Sequence, residues 1–139
     1  MPDTIPVETR ALVARRAQSC CEYCLIREDD TFAGCEVDHI ISRKHGGTDD
    51  DANLAFACFH CNRRKGSDLG SLDSLGRLVR FFNPRTDTWR EHFQLDGTRI
   101  VPLTEIGSAT GRIFGFNDIA RIAERWHLLR LGRYPGRQA

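Results

Sequence analysis

The apolar positions of this chain change period several times, and each change marks an element. From Val7 to Ser19 the residues Val7, Ala11, Leu12, Ala14 and Ala17 can share one face, with Arg10, Arg15 and Arg16 largely around the others, which predicts a helix. Cys35 to Ile40 reads as a short strand and Leu54 to Ala57 as a second. Between them Ser42 to Asp51 is polar, with Gly46-Gly47 and the acidic run Asp49-Asp50-Asp51, as a loop should be. Asn62 onward predicts a brief basic helix ending near Gly66. In the second half, Arg77 to Phe82 suggests a strand. Phe93-Gln94-Leu95 and Arg99-Ile100-Val101 flank Asp96-Gly97 as a hairpin. Thr104-Glu105 can cap a helix through Phe114. Asp118 can cap another, with Ile119, Ile122, Ala123, Trp126 and Leu129 as its apolar stripe. Gly132 to Ala139 reads as a loose tail.

Composition bounds this picture without naming a chemistry. A chain of 139 residues is the size of one domain. A net charge of +1 means that any phosphate-binding surface must be local. The start, Met1-Pro2-Asp3-Thr4-Ile5-Pro6, lacks the basic opening and apolar run of a signal peptide, and no segment is apolar for long enough to span a membrane. The expected location is therefore the cytoplasm, where thiols stay reduced. Six cysteines in that setting point to metal or catalysis rather than disulfides.

Cys21-x2-Cys24 and Cys58-x2-Cys61 are two identical knuckles, and two such pairs supply the four soft ligands that tetrahedral zinc wants. The segment between them is too long for a simple zinc ribbon, so a small structured element must sit there. Cys20-x3-Cys24 is also a permissible spacing, and symmetry with the second pair favours Cys21. Cys35 lacks a partner at knuckle spacing and reads as a core residue. His60, inside the second knuckle, reads as an exposed side chain facing solvent or DNA.

Between the knuckles, Asp38-His39 closes an apolar strand. Adjacent strand residues point to opposite faces, so the two can serve one site only where the strand ends. Glu36-Val37-Asp38-His39-Ile40-Ile41, then Gly46-Gly47, Asn53-Leu54 and Cys58-x2-Cys61-Asn62-Arg63-Arg64-Lys65-Gly66 resemble the HNH endonuclease signature, in the variant whose last position is Asn. The resemblance covers roughly Cys21 to Gly66. It implies a ββα-metal finger that hydrolyses phosphodiester bonds, with His39 as general base, Asp38 and Asn62 as ligands of the catalytic cation, and Asn53 holding the long loop. Elementary chemistry is consistent with those roles. A neutral imidazole suits water activation near neutral pH. Two oxygen ligands suit Mg²⁺ or Mn²⁺, which keeps waters and takes its other ligands from phosphate. An amide oxygen at position 62 remains a hard, neutral ligand, although it departs from the commonest pattern.

Arg63, Arg64 and Lys65 follow the last ligand, and Arg43 and Lys44 lie in the loop after His39, so these five are the expected phosphate contacts. Phe82-Asn83-Pro84-Arg85 and Trp89-x2-His92-Phe93 resemble segments that follow some HNH domains, with His92 structural. The C-terminal arginines Arg121, Arg125, Arg130, Arg133 and Arg137 could form an accessory phosphate-binding helix, or the Trp126 stripe could simply dock on the finger. The expected architecture is α+β: a ββα-metal, treble-clef-like finger with structural zinc, an N-terminal helix, and a C-terminal hairpin plus helices. Residues 7–68 would form the nuclease core, 69–131 an extension packed on it, and 132–139 a tail. The expected function is hydrolysis of DNA, with RNA an open alternative. A non-catalytic zinc-stabilised nucleic-acid-binding module and a treble-clef protein-interaction domain are the competing readings.

Overall fold

The structure is a computed structural model describing residues 4–139; the Met1 to Asp3 part of the N-terminal segment weighed above lies outside the described residues. Among the described residues no helix is long and apolar enough to cross a membrane.

Helix α1 (Val7–Arg16) leads into the first knuckle. Its buried side matches the predicted one only in part: Ala17 is buried and Ala14 packs beside it, but Val13 and Ile5 join them against Leu54 and Phe56, while Val7 and Ala11 face solvent. The stretch carries few large apolar side chains, so the partner surface decides which face turns inward. Arg16 fixes the orientation by donating to the carbonyls of Asp51 and Leu54, at 3.0 and 2.7 Å.

Strands β1 (Cys35–His39) and β2 (Leu54–Cys58) pair antiparallel, from His39 opposite Leu54 to Cys35 opposite Cys58. Val37 packs with Leu54 and Phe56 on the α1 side. The alternation of the strand therefore carries Glu36 and Asp38 to the other side. Helix α2 (Phe59–Lys65) follows β2 without a linker and begins earlier than the sequence pattern predicts, because the second knuckle forms its first turn.

The second half adds two further antiparallel pairs, β3 (Gly70–Leu72) with β4 (Leu78–Arg80) and β5 (Phe93–Asp96) with β6 (Arg99–Pro102). Strand β3 has no counterpart in the sequence reading; its three residues are set by pairing alone. The short helix α3 (Trp89–His92) precedes β5. Helix α4 (Glu105–Phe114) starts where predicted, with Thr104 Oγ1 accepting from Gly107 N at 3.0 Å. Gly107 is needed there, since a Cβ would lie 2.2 Å from the His92 carbonyl oxygen. His92 Nδ1 and Thr104 Oγ1 are 2.7 Å apart, so His92 joins α3 to the start of α4.

Helix α5 (Ile119–Arg130) reverses the expectation. Its proposed docking stripe is exposed apart from the half-buried Ile122, Ile119 by 89% and Trp126 by 53%, and Arg121, Arg125 and Leu128 are buried instead. Arg125 donates to the carbonyls of Phe116 at 2.6 Å and Thr98 at 2.9 Å, and Arg121 to that of Phe114 at 2.7 Å. Carbonyls at and just beyond the end of α4 need donors once buried, and guanidinium groups supply them. Arg121 and Arg125 are thereby removed from any phosphate-binding face. Asp118 makes no side-chain cap; it pairs with Arg64. The last segment is not loose. Tyr134 is buried and donates to the Cys24 carbonyl at 2.6 Å, and Gly136 N donates to Leu25 O at 2.8 Å.

One aromatic core joins both halves. Tyr23, in the first knuckle, packs edge-on against Phe82 and Phe114, with ring centroids 6.4 and 5.0 Å apart, and Trp89 Nε1 donates to Tyr23 O at 2.8 Å. Glu22 is buried beside it, paired with Arg85 and accepting from Phe56 N at 2.8 Å.

Candidate active site and cysteine cluster

Cys21, Cys24, Cys58 and Cys61 are all buried, and their sulfurs lie within 4.8 Å of one another. Tetrahedral coordination at the usual Zn–S length of about 2.3 Å would space the sulfurs by roughly 3.8 Å, and Cys24 and Cys58 are already 3.7 Å apart. The donor set therefore fits a structural zinc ion. Cys20 stands outside the cluster, with its sulfur 3.3 Å from Gln18 O. Neither Cys35 nor His60 joins the four sulfurs; the His60 ring lies 5.7 Å from that of Phe59. Arg121 Nη2 donates to Cys61 Sγ at 3.2 Å and reaches Cys58 Sγ at 3.8 Å. Four thiolates around a divalent ion carry a net charge of about −2, which this guanidinium partly offsets. Burial pulls the Arg121 pKa down, and the sulfurs outweigh it and hold it above the ordinary value.

The side of β1 that faces α2 gathers oxygen donors. Asn62, on α2, donates from Nδ2 to Glu36 Oε2 at 3.0 Å. Two residues along β1, Asp38 lies on the same side but only 5% exposed. Its carboxylate receives Lys65 Nζ at 3.2 and 3.3 Å and the Tyr23 hydroxyl at 3.1 Å. Burial pushes the Asp38 carboxyl up, against the pull of the Lys65 ammonium. Lys65 also donates to His39 O at 2.8 Å. It therefore latches the end of β1 to the last turn of α2.

His39 stands at the end of β1, and its Nε2 is 2.8 Å from Asp49 Oδ1. Arg43 donates to the same oxygen at 3.1 Å. The hydrogen bonds from Arg43 and His39 hold the Asp49 carboxyl below the usual range. The loop carrying Asp49 is tied by one side chain: Asn53 Oδ1 accepts from Ile41 N at 2.9 Å, and its Nδ2 donates to Ile41 O at 2.9 Å and Thr48 O at 2.8 Å. Gly47 permits this closure, because a Cβ there would lie 1.6 Å from Ile41 O.

The five cations expected on phosphate divide. Lys65 is 3% exposed and fully engaged, so it leaves the phosphate-facing set. Arg64 is exposed and paired with Asp118, Arg43 is exposed and paired with Asp49, and Lys44 and Arg63 are exposed. The sequence reading missed the places that four residues take. Strand alternation from Asp38 could have found Glu36. Asp49, the Lys65 latch and Arg121 depend on contacts distant in sequence and left no local signal.

Lys65→Met would leave the Asp38 carboxylate buried with Tyr23 alone. Breaking such a pair costs about 3–5 kcal/mol, and urea unfolding should register a loss of that size. Adding Asp38→Asn should recover part of it. A single variant within about 1 kcal/mol of wild type would show that the pair is no latch.

Residues 21–68 match the family model described as HNH endonuclease. The matched segment contains all four clustered cysteines and every oxygen donor described above. No curated protein and no solved structure matches the chain. The likeness to a nuclease family therefore rests on residues 21–68, and the C-terminal half supplies much of the core beneath them.

Proposed function

We propose that this chain is a cation-dependent endonuclease that hydrolyses DNA phosphodiester bonds through a ββα-metal finger. One arrangement supports the reading above all. Asn62 and Glu36 meet beside Asp38 on one side of the finger, and His39 stands at the end of the same strand, in a segment that matches a nuclease family.

His39 acts as the general base. With Nε2–H donated to Asp49, Nδ1 is the nitrogen that takes the proton of the attacking water. Asn53 holds the loop that carries Asp49 and so orients the imidazole. The amide oxygen of Asn62 and the carboxylates of Asp38 and Glu36 would hold Mg²⁺ or Mn²⁺. The exposed Glu36 carboxylate and the Asn62 amide suit a hard cation, and Asp38 would join them by giving up its bond to Lys65. When bound, such a cation offsets charge on the scissile phosphate and on the leaving oxygen. Zinc at the four cysteines is structural, and Lys44, Arg43, Arg63 and Arg64 guide the phosphate backbone.

A second reading, a zinc-stabilised nucleic-acid-binding module that does not cut, has one observation in its favour: Lys65 and Tyr23 already occupy the Asp38 carboxylate. The discriminating experiment offers supercoiled plasmid and single-stranded DNA to the protein with Mg²⁺, Mn²⁺ or chelator. The proposed activity gives nicked or linear products with a divalent cation, and their loss in Asn62→Ala. Salt-sensitive binding without products under any cation would replace it with the second reading. Neither cleavage nor binding would indicate a protein-interaction domain.

A further inference from the structure

Phe32, in the turn before β1, is 72% exposed and belongs to neither buried core cluster. A lone surface phenylalanine carries no message, but this one is not alone. Its ring meets that of Phe59 at 5.9 Å and 87°. The Arg63 guanidinium lies over the Phe59 ring at 5.6 Å, and His60 adds a third ring 5.7 Å from Phe59. Phe59, Asn62 and Arg63 are spaced i, i+3, i+4 on α2, so the aromatic step runs along the helix face that carries Asn62. The turn that presents Phe32 is tight, with Ala33 and Gly34 at φ 63° and 69°.

Flat rings, a guanidinium over one of them, and further exposed cations are the features that receive a nucleobase and its phosphate. An apolar protein surface is a poor occupant, because covering Phe59 would strip water from Arg63 and leave its charge unpaired. Bases inside a duplex are stacked on their neighbours and cannot present a face to a side chain. From this geometry we infer that Phe32 and Phe59 form a stacking step for an unpaired nucleobase, whose strand Arg63 steers past Asn62. The site therefore favours single-stranded or locally opened DNA. This inference rests on the nucleic-acid reading above and adds the form of the substrate.

The test uses the full chain, a fluorescent twelve-residue oligothymidylate, and a blunt duplex of equal length, with Ca²⁺ in place of Mg²⁺ to keep the strands intact. Wild type should bind the single strand more tightly than the duplex. Phe32→Ala should weaken single-strand binding roughly 5- to 150-fold and leave duplex binding within about twofold, with zinc content unchanged. Phe32→Trp should restore single-strand affinity, and its indole emission should be quenched by the oligonucleotide. Unchanged single-strand affinity in Phe32→Ala, or equal losses on both substrates, would overturn the stacking step while leaving the nucleic-acid reading in place. A wild-type protein that binds neither substrate would overturn both. A change in oligomeric state in Phe32→Ala with unaltered affinity would assign the aromatic step to a second copy of the chain.

Discussion

His39→Ala should lower cation-dependent cleavage by roughly 10²–10⁴-fold, the usual contribution of a positioned general base, with the fold intact. The structural contacts of residue 39 are main-chain ones. It pairs with Leu54 in the β1–β2 ladder, and its carbonyl accepts from Lys65; alanine keeps both. The lost side chain gives up one contact, to Asp49, which retains Arg43. Unfolding should therefore shift by less than about 1 kcal/mol, and zinc content and DNA affinity should stay at wild-type values. Rate, metal content and affinity measured together separate a base from a residue that merely supports the fold. Equal cleavage by wild type and variant, both free of contaminating nuclease, would sink the assignment. Asp49→Asn keeps the imidazole but removes the charge that fixes its tautomer, so its rate should fall between the two.

The parts of this arrangement legible in the sequence are those set by short spacings. The paired knuckles gave the four clustered cysteines, and symmetry between them correctly preferred Cys21 to Cys20. The apolar runs around Asp38-His39 and Leu54 gave β1 and β2 to within a residue. The turn signals gave the β5–β6 hairpin and the Thr104 cap. Three readings failed because sequence pattern ranks side chains by polarity, whereas a buried surface ranks them by what it lacks. The α5 surface met buried carbonyls and sulfurs that lacked donors and took arginines, leaving Ile119 and Trp126 outside. Lys65 sits in a run of cations, yet the buried Asp38 carboxylate needed an ammonium and drew it inward. The tail, polar in composition, is anchored by the Tyr134 hydroxyl on Cys24 O and by Gly136 N on Leu25 O. In the candidate site, Asp38, His39, Asn53 and Asn62 were readable by position, but Asp49 and Glu36 acquire their places only when loop and helix close on the strand.

Emptying the zinc site that the four cysteines would form should cost more than any substitution outside it. Structural zinc contributes an apparent 10–16 kcal/mol or so near neutral pH in small zinc modules, comparable to the roughly 5–15 kcal/mol stability of a whole domain. The dependence should be steep here because α2 has seven residues, too few to hold helical structure alone, and its first turn is the second knuckle. Losing the ion frees α2, and with it Asn62 and the Lys65 latch on Asp38 and His39. Arg121 would then face sulfurs without the charge it offsets, which loosens α5 as well. Trp89 reports the event, because its indole donates to Tyr23 O within the first knuckle; Trp126 is already exposed and contributes little change. Chelation, or Cys61→Ser, should shift tryptophan emission to the red and abolish cooperative unfolding. Zinc affinity should fall as the pH falls and the thiolates take up protons. Cys20→Ser is the control: its position lies outside the cluster, so zinc stoichiometry should stay at the wild-type value. A chelated protein that still unfolds cooperatively at the wild-type midpoint would show that the four cysteines pack together without depending on a metal.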